Sequence, residues 1–115
     1  MKESVIVDKS KAFALRIIKL YRYLCAEKQE YVLSKQLLRS GTSIGANIAE
    51  AIYGSSRKDF TAKLQIAEKE AAETLYWLEL LSKCSYIPDK LYQSLRSDCS
   101  ELLAISSASI RSSSI

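Results

Sequence analysis

The chain has no histidine, one proline, three glycines and three cysteines in 115 residues. The lack of histidine removes the commonest general base near neutral pH and the imidazole that most metal sites use. Cys25, Cys84 and Cys99 are odd in number and carry no CxxC spacing, which argues against a disulfide framework and against a zinc site. No apolar run approaches the roughly 20 residues that cross a bilayer, and the opening MKESVIVDKSK has no secretory apolar core. These absences point to a reduced, cytoplasmic protein with no membrane partner, cofactor or metal.

With so few helix breakers, apolar residues are free to recur at helical spacing. Phe13, Ala14, Ile17, Ile18, Leu20, Tyr21, Leu24 and Cys25 share one half of a helical wheel, predicting a first helix over about 8–26. Its other half carries Lys9, Lys11, Arg16, Lys19 and Arg22. A polar link, 27–30, leads to a second helix over about 32–53, which Gly54 is expected to end in a left-handed conformation. Ser56-Arg57-Lys58-Asp59 resembles a capping box and opens a third helix over 57–83, with Phe60, Leu64, Ala67, Ala71, Leu75 and Leu78 as its core stripe. Pro88 is tolerated in a first turn, so a fourth helix, about 88–106, starts at Pro88 or Asp89 and continues through Leu91, Leu95, Cys99, Leu102 and Ile105. Residues 1–7 and the serine-rich 107–115 are expected to be flexible tails. Four amphipathic helices on short links predict one all-α domain, an antiparallel up-down-up-down four-helix bundle.

The segment RSGTSIGANIAEA, residues 39–51, departs from an ordinary surface helix by crowding small residues and spacing two glycines four apart. Leu37, Gly41, Ile44, Gly45, Ile48 and Ile52 share one side; Arg39, Ser40, Ser43 and Asn47 share another. A glycine inside a helix costs roughly 1 kcal/mol relative to alanine, so Gly41 and Gly45 imply a compensating close approach by a neighbouring backbone. The competing reading, a phosphate cradle, lacks the preceding strand and following lysine of phosphate-binding loops. Helix three carries a second apolar seam, Ile66, Trp77 and Leu80, interrupted by Glu70 and Glu73. A bundle helix needs one stripe, so the second implies a further surface to cover it, and a homo-oligomer is expected. Arg39, Ser40, Ser43 and Asn47 suit the same contact, with Arg39 pairing across the interface to Glu70 or Glu73.

Catalysis has little support. The serines have no base beside them, and the Glu68, Glu70 and Glu73 cluster lacks the Glu-x-x-His ligands of helical-bundle metal sites. A non-enzymatic role is expected. The net charge is +4, unevenly distributed: residues 1–58 hold 11 basic and 5 acidic side chains, residues 59–115 hold 6 and 8. The basic half suits a polyanion, and equally suits solvated helix faces. On the first reading Lys11, Arg16, Lys19 and Arg22, with Arg57 and Lys58, are the candidate RNA- or DNA-binding residues, and Tyr23 is a stacking group. On the second the protein is an interaction scaffold with a protein client.

QLLRSGTSIGANIAEA and SSRKDFTAKLQIAEKEAAETLYWLELL resemble the four-helix-bundle proteins encoded in intervening sequences of bacterial 23S ribosomal RNA genes, a family that also includes the related accessory variability protein of diversity-generating retroelements. The likeness spans about residues 12–105 and departs from many relatives at Gly45 and Ala51. It implies a ring-like homopentamer; the likeness to the accessory variability protein further implies basic surface that binds nucleic acid and, in a retroelement setting, a reverse transcriptase, whereas the intervening-sequence members imply no particular molecular function.

Overall fold

The computed structural model describes residues 3–54 and 56–113, and all regular structure among them is helical. The elements are α1 (Glu3–Lys28), α2 (Leu33–Tyr53), α3 (Arg57–Lys83) and α4 (Asp89–Ser113), an arrangement compatible with a four-helix bundle. Two helices are longer than the periodicity indicated. α1 begins at Glu3 because Ile6 and Val7 are buried and extend its core stripe, and α4 continues past residue 106 with Ile110 packed against the core. Residues 1, 2, 114 and 115 of the expected tails lie outside the described residues.

The core runs the length of the molecule, through Phe13, Ile17 and Leu24 of α1, Leu37, Ile44 and Ile48 of α2, Leu64, Leu78 and Leu81 of α3, and Leu95, Cys99 and Leu102 of α4. α2 packs on α1 and α3, and α4 on α3 and, more loosely, on α1; among the described residues the diagonal pairs of helices are not neighbours. Because α2 is flanked on two sides, its buried arc is wide. One edge meets α1 through its glycines: a Cβ on Gly45 would lie 3.3 Å from the Ser10 carbonyl oxygen, and one on Gly41 would press on Ile17. The opposite edge meets α3, where the Thr74 hydroxyl lies 2.9 Å from Ser40 Oγ and donates to the Glu70 carbonyl at 2.8 Å.

None of the three glycines is left-handed. Gly54 follows α2 in an extended conformation, φ −76° and ψ 168°, which corrects the expected left-handed stop; its missing Cβ instead leaves room for the Glu50 carbonyl oxygen, 2.9 Å from where it would lie. The left-handed turns fall on Gln29 (φ 52°) and Ser85 (φ 64°). Ser85 closes α3 in a Schellman arrangement, with its amide donating to Ser82 and that of Tyr86 to Leu81. At the start of α3, Ser56 Oγ accepts from the Asp59 amide at 3.0 Å. α2 is capped differently. The carboxylate of Glu30, a residue only 8% exposed, accepts from the amides of Val32, Leu33 and Ser34 at 3.2, 3.0 and 2.7 Å, satisfying donors that a helix start otherwise leaves open.

Candidate nucleic-acid interface

α1 positions the basic residues because its apolar half is committed to the core and its remaining positions face outward. Lys11, Lys19 and Arg22 are exposed, and none has an ion-pair or side-chain hydrogen-bond partner among the described residues. With Leu15, 64% exposed, they form one strip about 16 Å long at 1.5 Å per residue. Asp8 is also exposed on this side.

Arg16 differs from its neighbours. Its guanidinium is held by Asp98 at 2.7 Å and by Ser94 at 3.0 Å on α4, so it is a fixed, partly neutralised cation where the sequence suggested an open one. Lys9 is engaged in the same way, with Glu101 at 2.9 Å. These bridges close one half of the loose α1–α4 edge. Beyond them the edge opens into a groove of 570 Å³, floored by Leu20, Leu91 and Leu95 and rimmed by Arg16, Lys19, Tyr23 and Pro88. Arg57 and Lys58 are exposed at the start of α3. Arg57 lines a separate cavity with residues of α2, α3 and α4 and none of α1, so the fold does not gather the six basic candidates into one site.

The second candidate surface lies where α2 meets α3. Arg39 bonds to Glu70 at 3.3 Å and closely to Glu73, and Glu73 also accepts from Trp77 Nε1 at 2.9 Å. Glu73 is held below the usual carboxylate range, first by the Arg39 hydrogen bond and then by that from Trp77. The Arg39 pairing expected between subunits is therefore made within one chain. Ser40 is corrected likewise: expected at a subunit contact, it is wholly buried against Thr74. Ser43 and Asn47 are half-buried and bond to carbonyls of their own helix, at Arg39 and Ser43. Ile66 and Tyr76 are exposed, at 40% and 54%, and the Tyr76 and Trp77 rings meet edge to face at 5.0 Å. Leu80 is half-buried.

No group of three or more His, Cys, Asp or Glu among the described residues is arranged to hold a metal, and no described helix is long and apolar enough to cross a membrane. The family model described as 23S rRNA-intervening sequence protein matches residues 2–108. The chain belongs to that family. Its fold is similar to a crystal structure, at 1.70 Å resolution, of a protein with unknown function from the S23 ribosomal protein family of Bacteroides thetaiotaomicron VPI-5482. That likeness has a TM-score of 0.94 and 52% sequence identity, covering 96% of this chain and 99% of the other. No curated protein matches the chain.

The α1–α4 groove and the Glu30 cap leave little trace in the sequence. Both depend on where helix ends and neighbouring helices lie. The one available signal was an acid just before an apolar run, at residue 30, a pattern compatible with capping.

Proposed function

We propose that this family member is a non-enzymatic, cytoplasmic nucleic-acid-binding accessory protein that acts as a homo-oligomer. The observation that carries the reading is the α1 strip, where Lys11, Lys19 and Arg22 project with no ion-pair partner among the described residues while Lys9 and Arg16 are paired with Glu101 and Asp98 on α4. Unpaired cations along one line suit a phosphate backbone, which is held largely by counterion release. The subunit is an antiparallel up-down-up-down bundle. Cross-helix pairs support this, since numbers rise on one helix as they fall on the next: Arg39 with Glu73 and Glu50 with Lys63, Lys9 with Glu101 and Arg16 with Asp98.

Assembly uses the α2–α3 face, where Ile66, Tyr76, Trp77 and Leu80 leave apolar surface around the Arg39–Glu70–Glu73 network. The resemblance to ring-forming relatives supports five copies, which would carry a net charge of about +20. In a retroelement setting a reverse transcriptase is the expected protein partner.

A salt titration of binding to structured RNA and to duplex DNA tests this, on protein whose oligomeric state is measured by light scattering. The expected result is affinity that falls steeply with salt, with weaker binding and a shallower slope for the Lys19→Glu/Arg22→Glu variant. Absence of binding to either polymer at physiological salt by the intact oligomer overturns it in favour of a scaffold with a protein client. Trp77→Arg is expected to dissociate the assembly; a monomeric wild type, or an unaltered Trp77→Arg assembly, removes the proposed interface.

A further inference from the structure

The α1–α4 groove combines three properties that the basic strip alone does not need. Its floor is apolar, from Leu20, Leu91 and Leu95. An aromatic ring, Tyr23, stands at its rim. Its two charged lining groups, Arg16 and Lys19, are both cationic. A volume of 570 Å³ falls in the roughly 300–1,000 Å³ range of small-ligand sites and is large enough for a nucleobase with its sugar. The charges are differently disposed. Asp98 and Ser94 fix the Arg16 guanidinium on one wall, whereas the Lys19 ammonium has no partner among the described residues and belongs also to the α1 strip.

We infer that this groove takes an unpaired base from a single-stranded nucleic acid, stacked against Tyr23, with the adjoining phosphates on Lys19 and Arg22. The inference rests on the nucleic-acid reading above and assigns it a substrate class. Stacking on an aromatic ring beside a cationic track is how single strands are held without sequence readout, because every base has a π-face. The apolar floor offers no donor or acceptor to a base edge, and the polar groups of the lining stand at its rim, on Arg16, Lys19 and Tyr23. The opening sits beside the cations, so a strand tracking Lys11, Lys19 and Arg22 passes it. The cavity on the far side of Tyr23 and Pro88 is lined by both Lys28 and Asp89, so it lacks the purely cationic rim of the groove. A paired base cannot enter, since its π-faces are covered by neighbours in the duplex.

The test is fluorescence anisotropy with an end-labelled 12-nucleotide single-stranded RNA, its duplex, and the same strand carrying abasic sites, at fixed moderate salt. The single strand is expected to bind more tightly than the duplex or the abasic strand. Tyr23→Ala is expected to weaken single-strand binding roughly ten-fold and leave duplex binding unchanged, while Tyr23→Phe stays within about two-fold of wild type. Equal affinity for intact and abasic strands overturns the inference whatever the variants do, and so does wild-type binding by Tyr23→Ala. In both cases nucleic-acid binding persists and the strip reading survives. No binding to any of the three probes overturns both readings together.

Discussion

The Cβ that Gly41 lacks would stand 2.9 Å from both Cγ1 and Cγ2 of Ile17, a side chain with no exposure at all. At this point α2 approaches α1 closely. Ile17 is β-branched and held in one rotamer on its own helix, so it cannot swing aside. Gly41→Ala should therefore destabilise the protein by about 1–3 kcal/mol through overpacking, against a helix-propensity gain of roughly 1 kcal/mol. Net loss of stability in urea unfolding is the expected outcome. A rise in the midpoint would show that the helices separate without cost.

The opposite substitution is expected to help where the chain turns left-handed. Ser85 holds φ 64° at the end of α3, a conformation that costs a residue with a Cβ roughly 1–2 kcal/mol and glycine almost nothing. Ser85→Gly should raise the unfolding midpoint, and an unchanged or lower midpoint would count against the Schellman geometry at this turn.

Glu30 links stability to pH. Its burial by itself would raise the carboxyl pKa, but the amides of Leu33, Ser34 and Val32 outweigh burial and hold it below the ordinary value near 4.5. A group depressed in the folded state stabilises that state above its unfolded pKa, and the contribution is lost as pH falls through the folded value. Glu30→Gln is expected to cost about 1 kcal/mol at pH 7, a typical value for a lost cap. The gap to wild type should shrink as acid is added below about pH 4.5. A gap that is constant from pH 7 to pH 3 would exclude the ionised cap.

The cysteines should separate by reactivity. Cys99 is buried, its thiol donates to the Ala71 carbonyl at 3.4 Å, and burial pushes its pKa to about 12; Cys84 is exposed at the end of α3. Since the thiolate is the reactive species, a thiol reagent at pH 8 is expected to label Cys84 in the native protein and Cys99 only after unfolding, as read by peptide mass. Native labelling of Cys99 would place that helix in frequent opening.

The positions of the helices were legible because each buries one stripe, and a stripe of period 3.6 can be read from Phe13, Ile17 and Leu24 or from Leu95, Cys99 and Leu102 without knowing any neighbour. Gly41 and Gly45 were legible as a close approach, since glycine inside a helix needs a reason. Periodicity does not state how far apart two helices stand or what faces a polar side chain. Ser40 reads as surface on a wheel and is buried because α3 brings Thr74 to it. Arg39 could be matched to Glu70 and Glu73 by charge, but only the packing of α2 on α3 decides that the pair forms within one chain. The same limit applies to the basic residues. Arg16 and Lys19 are equivalent in the sequence and both line the α1–α4 groove, and the fold separates them by placing Asp98 against Arg16 alone. The sequence by itself determined four helices, their core stripes and the basic character of α1. The tertiary structure decided which charges are cancelled, which small residues are covered and where the α1–α4 edge opens, because each of these depends on distances between helices that no single helix encodes.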